Sequence, residues 1–185
     1  MINPFKGRLG TLRWRVRLTL WSAATMAGIV VVGFSKLADV ALSLFFSMTA
    51  KYPLVPFFLA PAVGMLTVWL SRRYFAGSQG SGIPQVIAAR RLAAQGRAVD
   101  TLVSLRIAFA KIFLGSFALL GGFSAGREGP SVQVAASIMH VAHRFLPSAR
   151  AIRSSDLILA GGAAGIAAAF NTPLAGIVFA VEELG

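Results

Sequence analysis

The sequence contains no cysteine, which excludes disulfides and thiolate metal sites. Charge is scarce as well. Asp, Glu, Lys and Arg make up 13% of the 185 residues, about half the share of a soluble domain. Acid is scarcest, with six carboxylates against 18 Lys and Arg, for a net charge of +12. The two histidines, His140 and His143, sit one helical turn apart with no third ligand in view. They read as polar residues at the end of a span, and no metal site is expected. No Gly-Lys-Ser/Thr ending follows any glycine-rich stretch, so no phosphate loop is expected. No nucleophile set or cofactor motif is recognisable, and an enzyme is not expected.

What fills the chain instead is apolar residue, 56% of the total. Runs of about 20 such residues read as membrane spans. They fall at about 18–35, 53–71, 102–123 and 155–181, with a weaker one at about 129–146. The expected class is an all-α, polytopic membrane protein. The cations lie between these runs: Lys6, Arg8, Arg13, Arg15 and Arg17 first, then Arg72 and Arg73, then Arg90, Arg91, Arg97 and Arg106. That pattern fits the positive-inside rule and puts the N-terminus in the cytoplasm. Aromatic residues are sparse among the basic ones, so nucleic acid is not an expected partner. The apolar run after the basic N-terminus is too long for a signal peptide. Lys36 and Asp39 are i, i+3 near the outer end of the first run and are placed to pair. Pro147 opens a polar gap before the last run.

Three apolar segments are interrupted by Gly and Pro: GSGIP at 80–84, GREGP at 126–130 and NTPLAG at 171–176. Unpaired backbone cannot face lipid, so broken helices belong inside protein or along a water-filled path. Broken helices aiming their N-termini at a midplane site mark transporters. In GSGIP, Pro84 suits a first helical turn and Ser81 is a favoured N-cap type, so a helix is expected to start near Ile83–Pro84. Such an N-terminus is either an ordinary capped start or an anion site. In GREGP, Pro130 again marks a first turn. Glu128 is then either a capping carboxylate paired with Arg127 or a tethered anion competing with a free one for the same N–H groups. Protonating it would open the site.

Glu182 and Glu183 end the last apolar run. They are either an interfacial pair or functional acids. Adjacent helical residues point about 100° apart, so the two are not expected to face one pathway together. Gly161 and Gly165 stand at GxxxG spacing in LAGGAAGIAAAF. Close helix packing is expected there, within the protein or against a second subunit.

Taken together, GSGIP at 80–84, GREGPSVQ at 126–133 and AAGIAAAFNTPLAGIVFAVEEL at 163–184 resemble the CLC family of chloride channels and chloride/proton antiporters, bacterial type. The order of the motifs also fits, from about residue 20 to the end. The resemblance implies a CLC-type transport domain built of broken and re-entrant helices. Residues 18–185 would be its first inverted repeat, after a basic cytoplasmic segment at 1–17. Chloride would be held by Ser81, Gly82, Ile83 and Pro84 together with Gly126, Arg127, Glu128 and Gly129. Glu128 matches the external gating glutamate that carries the proton. Glu183 matches the internal glutamate that passes protons in antiporters. Serine at 81 implies chloride over nitrate, and Gln85 replaces a glutamate common in relatives.

The implied activity is therefore chloride/proton exchange gated by a protonatable glutamate. The alternatives are a passive voltage- or pH-gated channel of the same family, or a non-transporting half that assembles with another chain. The implied partners are chloride, protons, the lipid bilayer of the cell (inner or plasma) membrane, and a second copy in a homodimer through 155–185. No cofactor is implied. The second repeat, with its GxFxP helix end and tyrosine, is not in the sequence, and a fragment or truncated product is the expectation.

Overall fold

A computed structural model describes residues 4–146 and 152–184. Pro147 and the start of the expected polar gap lie outside the described residues. Every regular element among the described residues is helical. They are α1 (Pro4–Lys51), α2 (Val55–Arg73), α3 (Ile83–Ala94), α4 (Leu105–Leu120), α5 (Glu128–Ala142), a 3-10 turn (His143–Phe145), α6 (Ser154–Phe170) and α7 (Pro173–Glu182). The expected all-α membrane architecture is the observed one.

α1 is far longer than the span read from hydropathy. It runs unbroken for 48 residues, about 72 Å at 1.5 Å per residue. Its bounds follow from proline: Pro4 begins it, none follows until Pro53, and the residue before a proline is pushed out of the helical region. It and α2 are long and apolar enough to cross a membrane. Trp21, Ile29, Phe57, Phe58 and Met65 on these two helices are exposed. In a bilayer these side chains face acyl chains at no cost.

α4 and α5 have 16 and 15 residues, short of the roughly 20 needed to span. The run at 155–181 is divided between α6 and α7. Asn171 ends α6 in the left-handed region at φ 55°, and Pro173 sits in the first turn of α7. Asparagine tolerates that conformation better than most residues, and proline starts the next helix without losing a bonded N–H. The three Gly and Pro motifs therefore break helices as the sequence suggests.

α5 is the central helix. Ten of its 15 residues are buried, among them Ser131, Gln133 and Ser137. α6 lies against it closely enough that a Cβ on Gly161 would sit 2.6 Å from the Ala136 Cα, and one on Gly165 would sit 2.6 Å from the Ser131 carbonyl oxygen. The GxxxG face thus packs inside the protein, on α5. One core cluster joins Val86 and Ala89 of α3, Val132 and Ala136 of α5, Ile158 and Ile166 of α6, and Leu184.

Two glycine substitutions should separate packing from propensity. Gly165→Val puts carbon into backbone and is expected to cost about 3 kcal/mol or more. Gly28 on α1 has nothing within 4 Å of a built Cβ, so Gly28→Ala should stabilise by up to about 1 kcal/mol. Thermal melting of the purified protein in detergent measures both.

Candidate anion site

The first turn of an α-helix leaves backbone N–H groups without acceptors. Two such turns meet here. α3 begins at Ile83, and its N-cap is Gly82, at φ 109° and without a side-chain cap bond. Ser81 therefore stands one place before the cap, a correction to its expected capping role. Gly82 takes the cap because the chain must turn through the left-handed region, which glycine enters without strain. α5 begins at Glu128 with Arg127 as its N-cap, and Pro130 lies in its first turn, as expected.

The two starts abut through their glycines. A Cβ on Gly129 would lie 2.5 Å from the Ser81 carbonyl oxygen, and one on Gly82 would lie 2.8 Å from the Gly129 carbonyl oxygen. Gln133, one turn along α5, locks the arrangement. Its fully buried amide donates to the Gly77 carbonyl at 2.9 Å and to the Leu102 carbonyl at 2.8 Å. Gln85 reaches back to the Gln79 carbonyl at 2.5 Å and closes the loop before α3.

A cavity of about 690 Å³ opens beside this junction, walled by Ser81, Ile83, Gly126, Glu128, Gly129 and Lys111, with Arg72 of α2 and Phe34 of α1 also on its wall. Gly82, Pro84 and Arg127 do not line it. Glu128 is half-buried, and its carboxylate folds back over Gly126, where a Cβ would meet Glu128 Oε2 at 2.7 Å. Lys111, in the middle of apolar α4, is 4% exposed, and its Nζ donates to the Gly80 carbonyl at 2.6 Å. Sequence reasoning gave this lysine no role. A cation within an apolar run was the available signal, since such groups mark pathways.

Arg127 is not paired with Glu128. Its Nη1 donates to Asp39 Oδ1 at 2.6 Å and to the Ser35 carbonyl at 3.1 Å, both on α1. Nor does Asp39 pair with Lys36 among the described residues. The guanidinium arriving from α5 provides a charge-assisted bond of better geometry than a lysine on the same helix.

Glu182 and Glu183 end α7, and Glu183 is its C-cap. Both are exposed and neither lines the cavity. Arg90 of α3 donates to the Leu184 carbonyl just beyond them. His140 Nδ1 shares a hydrogen bond with Ser154 Oγ at 2.7 Å, and His143 Nε2 meets the Ile152 carbonyl at 3.1 Å. Among the described residues no cluster of His, Asp or Glu has the makings of a metal site.

The first turns of two helices, Ser81, the buried Lys111 and the Glu128 carboxylate thus share one cavity wall in a helical protein with two helices long enough to cross a membrane. Residues 63–185 match the family described as voltage gated chloride channel, and the chain belongs to that family. It is therefore a membrane protein of a chloride-transport family, whose members are channels or transporters and not enzymes. The match spans α2 from Val63 onward and includes all three Gly and Pro motifs.

Lys111→Met should leave the Gly80 carbonyl without its donor, at a cost of about 1–3 kcal/mol. The loop at 74–82 should then be cut faster by protease in detergent, with a lower melting temperature.

Proposed function

We propose that the protein exchanges chloride for protons, with Glu128 as both gate and outer proton acceptor. The observation that carries this reading is the placement of the Glu128 carboxylate on the same cavity wall as Ser81, at the first turn of α5. Carboxylate and chloride are both anions, and they compete for the N–H groups and positive partial charge of that turn. While Glu128 is ionised it occupies the place of the anion. Once protonated, it loses most of its attraction to the helix end and yields to chloride. Proton uptake and chloride passage are then alternative states of one site, which is the requirement for coupling.

The buried Lys111 ammonium favours chloride over a cation on this wall. Ser81 and the first-turn backbone of Ile83, with Gly82 and Pro84 shaping that turn, supply the α3 side of the chloride site. Gly126, Gly129 and the backbone of Arg127 shape the α5 side. Glu183 is proposed as the inner proton acceptor, at its exposed position just past the end of α7. A second inverted repeat is proposed to complete the chloride site. Residues 155–185 are proposed to meet a second copy, which accounts for the exposed apolar Leu174, Ile177, Val178 and Val181.

Chloride flux in proteoliposomes should rise as pH falls, and in Glu128→Gln it should be pH-independent. Flux in that variant that still follows pH like the parent removes Glu128 as the gate. Glu183→Gln should keep chloride flux and lose proton uptake driven by a chloride gradient. Intact proton uptake would leave a passive channel excluded and Glu183 without its role; its absence in the parent protein would favour the channel.

A further inference from the structure

We propose that Asp39 on α1 is a positioning residue for the gate, holding the Arg127 guanidinium on α1 and so keeping it off the neighbouring Glu128 carboxylate. This rests on the reading of Glu128 as the gate and adds a residue outside the cavity to it.

Arg127 directly precedes Glu128 in the chain, and its side chain has the length to fold onto that carboxylate. An Arg–carboxylate bond there would be charge-assisted. It would hold Glu128 ionised and away from the anion's place, or pin it over its own helix end. The structure avoids both. Asp39 Oδ1 and the Ser35 carbonyl take the same Nη1 at 2.6 and 3.1 Å. Among the described residues Glu128 has no ion-pair partner. The other charged groups facing it are Lys111 of α4 and Arg72 of α2, which share its cavity, and Lys111 is committed to the Gly80 carbonyl. α3 brings no charged group to that wall. Arg127 is thus the cation nearest to Glu128 in sequence, and a carboxylate on another helix competes for it.

The pair is partly exposed, with side chains 40% and 56% accessible, so its contribution to stability is small. Its value lies in which carboxylate the arginine chooses. Remove the charge of Asp39 and the guanidinium has one neutral acceptor left on α1 and a full negative charge beside it at Glu128.

The test is a series at Asp39 in the complete protein, reconstituted in liposomes, with chloride flux followed against pH. Asp39→Glu should keep the parent midpoint. Asp39→Asn should move it to lower pH, and Asp39→Lys further, by about 1 unit in all. High salt should shrink the differences. A common midpoint across the series overturns the proposal. So does an Asp39→Asn shift that persists in an Arg127→Gln background, because Asp39 would then act directly through its field and not through Arg127.

The infrared band of the protonated Glu128 carboxyl, assigned by its loss in Glu128→Gln, should titrate in the same order. That measurement requires no transport and covers any variant that folds without conducting. The gate reading fails separately: Glu128→Gln would keep parental pH dependence while Asp39 variants still shifted it.

Discussion

The structure depends on the backbone contact between Gly82 and Gly129. With a side chain at either position, α3 and α5 could not start beside each other. A Cβ at Gly129 would overlap the Ser81 carbonyl, and one at Gly82 the Gly129 carbonyl. Because both helices start there, their unpaired N–H groups and positive ends add in one place. α5 can hold this position because it is enclosed by other helices, with α6 seated on it through Gly161 and Gly165. The same lack of Cβ atoms thus serves twice, placing the helix ends together and fixing the helix behind them. In a bilayer such close approach is also the main source of helix–helix affinity, since lipid offers no hydrophobic drive.

Sequence patterning revealed the parts of this arrangement that are local. The Gly and Pro breaks, a helix start near Ile83–Pro84, a first turn containing Pro130 and an interruption at NTPLAG all follow from the conformational preferences of those residues. The GxxxG spacing announced close packing, though not which helix would fill the groove. The parts that failed were long-range. Asp39 pairs with Arg127 across 88 positions and not with Lys36 three away. Gln133 reaches Gly77 across 56 positions, and Lys111 reaches Gly80 across 31. No periodicity encodes such contacts. The length of α1 was missed for a different reason. Hydropathy ends a span where charge appears, at Lys36 and Asp39, but a helix ends where its backbone is forced out, and that happens only at Pro53.

In this apolar chain each charge near the cavity has a distinct standing. Lys111 is buried and hydrogen-bonded to a backbone carbonyl of the loop before α3. Freeing it would leave a buried ammonium without its acceptor, so it is held in place. Arg127 is partly exposed and tied to α1 by two acceptors. Glu128 has neither a salt bridge nor a deep pocket. It lies at the first turn of α5, on the cavity wall and over Gly126.

That inequality is what the proposed exchange requires. A gate must leave its place on the scale of thermal energies, so its partners in the closed state have to be few. The field that attracts the competing anion must stay where it is when the gate leaves. If Glu128 were paired with Arg127, opening would mean breaking a charge-assisted bond as well as leaving the helix end. If Lys111 were mobile, it would follow Glu128 outward and take the attraction for chloride with it. Holding the lysine on Gly80 and the arginine on Asp39 separates a standing positive field from a movable negative group. In this reading the two helix ends, and not any salt bridge, set the balance between proton and anion.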